Sequence, residues 1–301
     1  MKSIIPPFLK KGDEIRIIST ARKISRKELD PAVGFLKSND YKVSFGQNLF
    51  KQSHQFAGTD TVRANDLQKA LDDSNVKAIW LARGGYGTHR VIEKINLNGF
   101  KKHPKWIVGY SDITVLHAFI YSQTGVATLH ATMPVNYLNQ TSESFTKMLE
   151  VLRGEKINYQ LDPHRYNRIG EAKGTLIGGN LSIIYSLTGT KYLELPQNSI
   201  LFIEDLDEYL YHIDRMMMNL KLSGVLDQIS GLIIGGMSDM NDNTVPYGKS
   251  AEEIIRDHTR DYIFPVAFGF PAGHIKANLP LVLGTETILT VTEKNIGLKL
   301  F

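Results

Sequence analysis

The sequence predicts an α/β fold, with a parallel sheet in the first half of the chain and a smaller mixed α/β region in the second. Strand-like and helix-like segments alternate through the first half, which is typical of a parallel sheet covered by helices on both faces. The segments of the second half are less regular. With 301 residues, the chain is long enough for two domains.

Apolar periodicity identifies the elements of the first half. Predicted strands cover residues 14–19, 41–45, 76–82, 106–108 and 126–129. Helical spacing marks one segment at residues 29–36 and another at residues 67–71 that stops near Asp73. A third helix follows Ser111 and closes at Gly125.

The second half begins after a change of pattern. We place a first domain at residues 1–138, a connector with a helix near its middle at residues 139–170, and a second domain at residues 171–301. In the second domain, strands are predicted at residues 199–203, 232–234 and 264–268, and a hairpin around Gly284 at residues 281–291. A methionine-rich stripe at residues 213–220 has helical spacing and reads as core packing.

Composition excludes several classes of protein. The chain has no cysteine, so a cysteine peptidase, a thiolate zinc site and a disulfide framework are ruled out. The net charge is +4 and no dense Lys/Arg cluster is present, so we expect no nucleic-acid partner. No signal-peptide pattern or membrane-spanning run is visible, which favours a cytoplasmic protein without a membrane partner.

Residues 106–114 read Trp-Ile-Val-Gly-Tyr-Ser-Asp-Ile-Thr. A strand, a sharp turn and a helix with a serine at the turn have the geometry of a nucleophile elbow. The hydroxyl of Ser111 would project above the sheet, beside helical N–H groups that favour developing negative charge. The alternative is that Ser111 or Asp112 only caps the helix.

A glycine-rich loop at residues 83–87 follows a predicted strand. It lacks the Lys-Ser/Thr of a P-loop and the full dinucleotide fingerprint, which weakens a phosphate-binding interpretation. Glycine also allows main-chain N–H groups to approach a reacting carbonyl, as half of an oxyanion hole. A tight strand-to-helix connection is the third interpretation.

Two further residues are candidates for catalysis. His274 lies in a loop rich in glycine and proline, where a scaffold can hold a general base, although an exposed turn residue would look the same. Glu204 follows an apolar strand and is suited to orient an imidazole. The acidic run at residues 204–208 reads alternatively as a solvated strand end or a magnesium site. Ser111 and its two partners would meet between the domains.

Several motifs together resemble the LD-carboxypeptidases, the serine peptidase family that also contains the microcin-immunity peptidases. The motifs are Ala-Arg-Gly-Gly-Tyr-Gly at 82–87, Gly-Tyr-Ser-Asp-Ile-Thr at 109–114, Gly-Gly-Asn-Leu at 178–181 with Gly-Thr at 189–190, Phe-Ile-Glu-Asp at 202–205 with Glu208, Ile-Asp-Arg at 213–215 and Gly-His at 273–274. They extend through nearly the whole chain. Each motif alone is unspecific, but the set is specific.

The resemblance implies a Rossmann-like amino-terminal domain, a smaller mixed α/β carboxyl-terminal domain and a homodimer, without metal or cofactor. Matched by motif, Ser111 is the expected nucleophile, His274 the general base and Glu204 its orienting carboxylate. The main-chain N–H groups of Gly85 and Asp112 are the expected oxyanion hole.

The implied activity is cleavage of a C-terminal D-residue from an L,D-peptide bond, as in murein tetrapeptides during cell-wall recycling. A microcin-immunity-type peptidase or a general amide hydrolase would use the same three side chains. A non-catalytic small-ligand-binding protein is the alternative of another class. His130-Ala131-Thr132 stands where the family often has His-Gly-Pro, and His130 is the second candidate for the base. Arg83 is either a binder of the substrate carboxylate or a structural ion-pair partner.

Overall fold

Two β-sheets organise the structure, a computed structural model that describes residues 3–300. The strands in this range are β1 Glu14–Ile18, β2 Lys42–Phe45, β3 Val76–Leu81, β4 Trp106–Gly109, β5 Thr128–His130, β6 Asn158–Leu161, β7 Gly170–Asn180, β8 Ser199–Leu206, β9 Ile229–Ser238, β10 Val266–Ala267, β11 Leu281–Leu283, β12 Glu286–Val291 and β13 Ile296–Leu300. One apolar core cluster contains buried residues from both sheets.

The helices of the described chain lie mostly between these strands. They are α1 Arg26–Ser38, α2 Asp60–Asp72, α3 His89–Ile92, α4 Asn98–Lys102, α5 Thr114–Thr124, α6 Ser142–Leu152, α7 Leu181–Leu187, α8 Leu210–Leu222, α9 Val225–Gln228 and α10 Ala251–Thr259, with 3-10 turns at Ser111–Ile113 and Pro134–Asn136. The methionine-rich stripe at residues 213–220 is the buried face of α8.

The first sheet has the strand order β11-β5-β4-β3-β1-β2, and every neighbouring pair except β11 and β5 is parallel. The parallel strands thus follow the order 2-1-3-4-5 of a doubly wound sheet, whose ligands bind beyond the carboxyl ends of the strands. The predicted Rossmann-like parallel sheet is confirmed.

The second sheet has the order β10-β9-β8-β7-β12-β13-β6. Its strands are parallel from β10 to β7 and antiparallel from β7 to β6. The predicted mixed α/β second region is confirmed.

Local sequence signals set several helix ends. Ser25 with Glu28 and Ser250 with Glu253 form capping boxes at the starts of α1 and α10, where each pair satisfies main-chain N–H groups of the first turn. The helix α5 ends at Gly125 with a φ of 69°, a left-handed conformation that glycine adopts without a steric penalty.

The hairpin predicted at residues 281–291 is wrong. β11 pairs with β5 in the first sheet, whereas β12 pairs with β7 and β13 in the second. Gly284, with a φ of 85°, turns the chain from one sheet to the other, and its N–H donates to the carbonyl of Leu176 at 2.7 Å. Alternating apolar residues identify a strand but not its partner, so the sequence cannot distinguish this crossing from a hairpin.

Two other strands also differ from expectation. β6 lies inside the predicted connector, and β8 continues three residues beyond the predicted end at residue 203. The division at residues 1–138, 139–170 and 171–301 remains a prediction, and β11 crosses it by joining the first sheet.

A glycine near the end of β7 allows the second sheet to approach helix α5. A Cβ atom on Gly179, whose φ is 137°, would collide with Oγ1 of Thr114 at the start of α5. The same Oγ1 accepts a hydrogen bond from the main-chain N–H of Asn180 at 3.0 Å. The Gly-Gly-Asn motif therefore fastens the second sheet to the helix that follows Ser111.

We predict that Gly179→Ala lowers the free energy of unfolding by more than about 2 kcal/mol, because the new methyl group adds a collision to backbone strain. Urea denaturation measures the change. The matched control is Gly189→Ala, where φ is also positive, at 79°, but no atom lies within 4 Å of the added Cβ. That control should lose only about 1 kcal/mol. Equal losses in the two variants would contradict the proposed close approach.

Candidate active site

A cavity of about 480 Å³ opens at the carboxyl ends of the strands of the first sheet. Gly85 and Ser111 line it on the side of the first sheet, and Glu208 and His274 line it on the side of the second. Clefts at the carboxyl ends of parallel strands and between packed units are typical places for ligand sites. The cavity is therefore lined by residues from motifs that are far apart in the sequence.

Ser111 lies at the turn between β4 and α5. Its φ is 65°, a conformation that costs a residue with a side chain about 1–2 kcal/mol and is found at functional sites. A Cβ on Gly84 would lie 2.9 Å from Oγ of Ser111, so the absence of a side chain there leaves space for the hydroxyl. Within residues 3–300, the hydroxyl of Ser111 makes no hydrogen bond, and none to His274. Such contacts often form only when substrate binds.

The helix-capping interpretation of Ser111 and Asp112 is wrong. No side chain caps the 3-10 turn or α5. The carboxylate of Asp112 is buried and its Oδ2 accepts a hydrogen bond from the main-chain N–H of Thr88 at 2.9 Å. Burial raises the pKa of Asp112 against the effect of this hydrogen bond. The side chain thus ties the serine turn to the glycine-rich loop.

The glycine-rich loop lines the cavity at Gly84 and Gly85. Gly85 has a φ of 111°, and neither its N–H nor that of Asp112 has a main-chain or side-chain acceptor in the described chain. Arg63, only 1% exposed, holds the loop from behind because its guanidinium donates to the carbonyls of Gly87, at 2.8 Å, and Thr20. Within residues 3–300, the N–H groups of Gly85 and Asp112 are therefore unpaired.

His274 and Glu204 are in direct contact. Nδ1 of His274 lies 2.7 Å from Oε2 of Glu204, and the main-chain N–H of His274 donates to the same oxygen at 3.1 Å. A Cβ on Gly273 would collide with this carboxylate, so the Gly-His motif requires glycine for the approach. Nε2, the other ring nitrogen of His274, has no hydrogen-bond partner among the residues that the structure describes.

The pair is electrostatically coupled. Burial opposes ionisation of Glu204, but the nearby His274 ring holds the pKa of that carboxyl below its usual value. Burial likewise opposes protonation of His274, but Glu204 raises the pKa of the imidazole. The pair therefore stabilises the fold most between these two pKa values. This contribution is lost as pH falls through the lowered pKa of Glu204, and also as pH rises through the raised pKa of His274.

The solvated interpretation of the acidic run is wrong for its first two residues. Glu204 lies within β8 rather than after it and is fully buried, as is Asp205. Burial and the neighbouring charge of Glu204 raise the pKa of Asp205 to about 7. The carboxyl group of Asp205 accepts from Nδ2 of Asn180, at 2.8 Å, and from two main-chain N–H groups. Its contacts are structural and belong to the junction with β7.

His130 does not line the cavity. Its ring is buried against Phe202, at 4.9 Å between centroids, and burial lowers the pKa of His130 to about 4. A neutral, enclosed imidazole is poorly placed to serve as the base. The sequence analysis missed His117, whose Nε2 donates to the carbonyl of Gly109 at 2.9 Å and supports the serine turn from below. Its position eight residues after Gly109 carries no motif that would have revealed it.

Between residues 3 and 300, no group of three or more His, Asp or Glu side chains is arranged to hold a metal ion. No helix in this range has both the length and the apolar character needed to span a membrane.

The fold and cavity define a two-sheet α/β protein with a serine turn facing a histidine–carboxylate pair. Sequence models of the LD-carboxypeptidase N-terminal and C-terminal domains match residues 15–131 and 173–289. The chain belongs to the LD-carboxypeptidase family of peptidases, as the motifs suggested.

Individual relatives agree with this assignment. The chain is 34% identical to the "probable murein peptide carboxypeptidase" of Bacillus subtilis over 96% of this chain and 92% of that protein. It is 26% identical to the microcin C7 self-immunity protein MccF of Escherichia coli, over 95% of this chain and 93% of that protein. The crystal structure of muramoyltetrapeptide carboxypeptidase from Oxalobacter formigenes matches with a TM-score of 0.88 and 26% identity, over 95% and 98% of the two chains.

We predict that Glu204→Gln lowers the pKa of His274, because the lost carboxylate no longer stabilises the imidazolium. NMR titration of the histidine rings measures this value without any substrate. Glu208→Gln is the matched control, since Glu208 lines the same cavity but contacts Nδ1 of His212 at 2.6 Å. An unchanged pKa of His274 in the Glu204 variant would contradict the coupling.

Proposed function

We propose that this chain is a serine-type carboxypeptidase that removes a C-terminal D-residue from an L,D-peptide bond, with murein tetrapeptides as substrates. One observation carries the proposal. A strained serine and a histidine hydrogen-bonded to a buried carboxylate line the same cavity, near two main-chain N–H groups that have no acceptor among residues 3–300. This set of groups suits acyl transfer through a covalent intermediate.

In the proposed reaction, Oγ of Ser111 attacks the scissile carbonyl carbon while Nε2 of His274 takes the hydroxyl proton. The N–H groups of Gly85 and Asp112 donate to the resulting oxyanion. Collapse of the tetrahedral intermediate breaks the C–N bond, and the protonated His274 transfers its proton to the leaving amine. Water then attacks the ester carbonyl while Nε2 of His274 takes its proton. Collapse of this second intermediate breaks the bond between the acyl carbon and Oγ, His274 returns the proton to Oγ of Ser111, and the acid is released.

Glu204 has an orienting role in this mechanism. Its carboxylate accepts the Nδ1–H of His274, which leaves Nε2 unprotonated and directed away from the pair. The negative charge also stabilises the imidazolium that forms during each proton transfer. The full burial of Glu204 strengthens both effects, because solvent does not screen the pair.

The substrate class is supported by relatives rather than by geometry. The Bacillus subtilis relative bears a murein peptide name, and the similar crystal structure bears a muramoyltetrapeptide name. We propose that the chain acts on murein fragments in the cytoplasm during recycling, and a homodimer is expected from the family resemblance.

A microcin-immunity-type activity is the second candidate. The similarity to MccF over nearly the whole chain favours it, and the same three side chains would serve it. A general amide hydrolase would share the site as well. A non-catalytic ligand-binding protein would use the free N–H groups to hold an anion without turnover.

We predict that the enzyme cleaves a murein L,D-tetrapeptide at least about tenfold faster than its all-L isomer. The isomers differ in the configuration of the leaving residue, so a cavity of fixed shape can orient the terminal side chain and carboxylate well in only one of them. Mass spectrometry of the products measures this, with a nucleotide-linked peptide as a further substrate. Equal cleavage of both isomers would indicate a general amide hydrolase. Cleavage of only the nucleotide-linked peptide would indicate the immunity-type activity.

We predict that Ser111→Ala abolishes turnover, with a loss of at least about 10⁴-fold, while the thermal midpoint stays near that of the unmodified chain. A fluorophosphonate probe should label Ser111 alone. Ser122→Ala is the control, because that hydroxyl donates to the carbonyl of Phe119 within α5, away from the cavity. Retained turnover in Ser111→Ala, or labelling only at another residue, would contradict the role of Ser111.

A further inference from the structure

We propose that Arg22 binds the terminal carboxylate of the substrate and thereby makes the site selective for chain ends. This inference rests on the proposed function, since it assigns the residue that recognises the leaving side of the scissile bond. Arg22 carries no motif in the sequence, and it joins the cavity only through the fold.

The location of Arg22 suits a carboxylate next to the reacting bond. In a C-terminal residue, the carboxylate carbon lies about 4 Å from the scissile carbonyl carbon, so its partner must border the oxyanion hole. Arg22 does so, because a Cβ on Gly85 would lie 2.6 Å from its Cδ and 2.8 Å from its Nε. Gly85 provides both one expected oxyanion donor and the surface along which the arginine side chain passes.

The guanidinium of Arg22 is free while its main chain is held. Among residues 3–300 the guanidinium makes neither a salt bridge nor a hydrogen bond. Its carbonyl accepts from Oγ of Ser19 at 2.8 Å, and the residue forms a β-bridge with Phe56. An arginine whose main chain is held and whose guanidinium is unpaired at a cavity is suited to bind an anion.

Arg83, the cation suggested by the sequence, is already engaged. Its Nη1 lies 3.5 Å from Oε1 of Glu28 and donates to the carbonyl of Lys23 at 3.1 Å. These contacts fit the structural interpretation of Arg83. Both arginines line the cavity, so Arg83 is a natural control for a nonspecific effect of positive charge.

The far wall of the cavity has the opposite charge. Asp207 is held by Nδ2 of Asn241 at 2.8 Å, and Glu208 contacts Nδ1 of His212 at 2.6 Å. An anionic group near these carboxylates would be repelled, whereas the same group near Arg22 would be attracted. The polarity of the cavity therefore orients a peptide with its free carboxylate on the Arg22 side.

The experiment compares an L,D-tetrapeptide with its carboxyl-terminal amide, which keeps the shape but removes the charge. The unmodified enzyme should prefer the free acid in kcat/KM. In Arg22→Gln, the acid-to-amide ratio should fall at least about tenfold, since hydrogen bonds to a charged group are lost only for the acid. Arg22→Lys should give an intermediate ratio, because an ammonium cannot form the bidentate contact. Arg83→Gln should keep the ratio.

The outcomes separate this inference from the proposed function. If the unmodified enzyme cleaves acid and amide equally, the carboxypeptidase proposal itself fails. If it prefers the acid and Arg22→Gln keeps that preference, the role of Arg22 is overturned while the function stands. Where the amide turns over too slowly, Kd values for both peptides are compared with and without Arg22→Gln in the Ser111→Ala background. An unchanged acid-to-amide ratio of Kd values there also overturns the inference.

Discussion

The contact between Glu204 and His274 is the interaction on which the geometry of the cavity depends. A carboxylate with no solvent exposure is costly to keep ionised, by several kcal/mol, unless opposite charge or N–H donors surround it. The ring and the main-chain N–H of His274 provide both, and Gly273 removes the side chain that would block them. The loop after β10 is therefore attached near the carboxyl end of β8, which fixes the proposed base relative to the second sheet.

The proposed nucleophile belongs to the first sheet, so the site also depends on how the sheets are joined. Asn180 is central to this junction. Its N–H donates to Thr114 at the start of α5, and its amide donates to Asp205 beside Glu204. A short chain of hydrogen bonds thus connects the helix behind Ser111 with the strand that carries the buried carboxylate, in a core shared by both sheets.

Two polar networks keep the strained part of the site in place. Ser111 has a positive φ, and such strain persists only where surrounding contacts over-determine the turn. Below the turn, His117 holds the carbonyl of Gly109. The glycine-rich loop is held by hydrogen bonds from Arg63 to the carbonyl of Gly87 and from the N–H of the following Thr88 to Asp112. The loop and the turn that carry the proposed oxyanion donors are therefore held by hydrogen bonds, and donors fixed before the reaction favour stabilisation of a developing charge.

The sequence by itself determined the parallel first sheet, the turn at Ser111 and the motifs that carry Glu204 and His274, because periodicity and glycine placement are local properties. It did not reveal that β11 and β12 join different sheets, that Glu204 lies inside β8, or that Arg22 borders Gly85. Those facts were decided by tertiary structure. Strand pairing, burial and the approach of distant loops depend on contacts between segments far apart in the chain, and no local pattern encodes them.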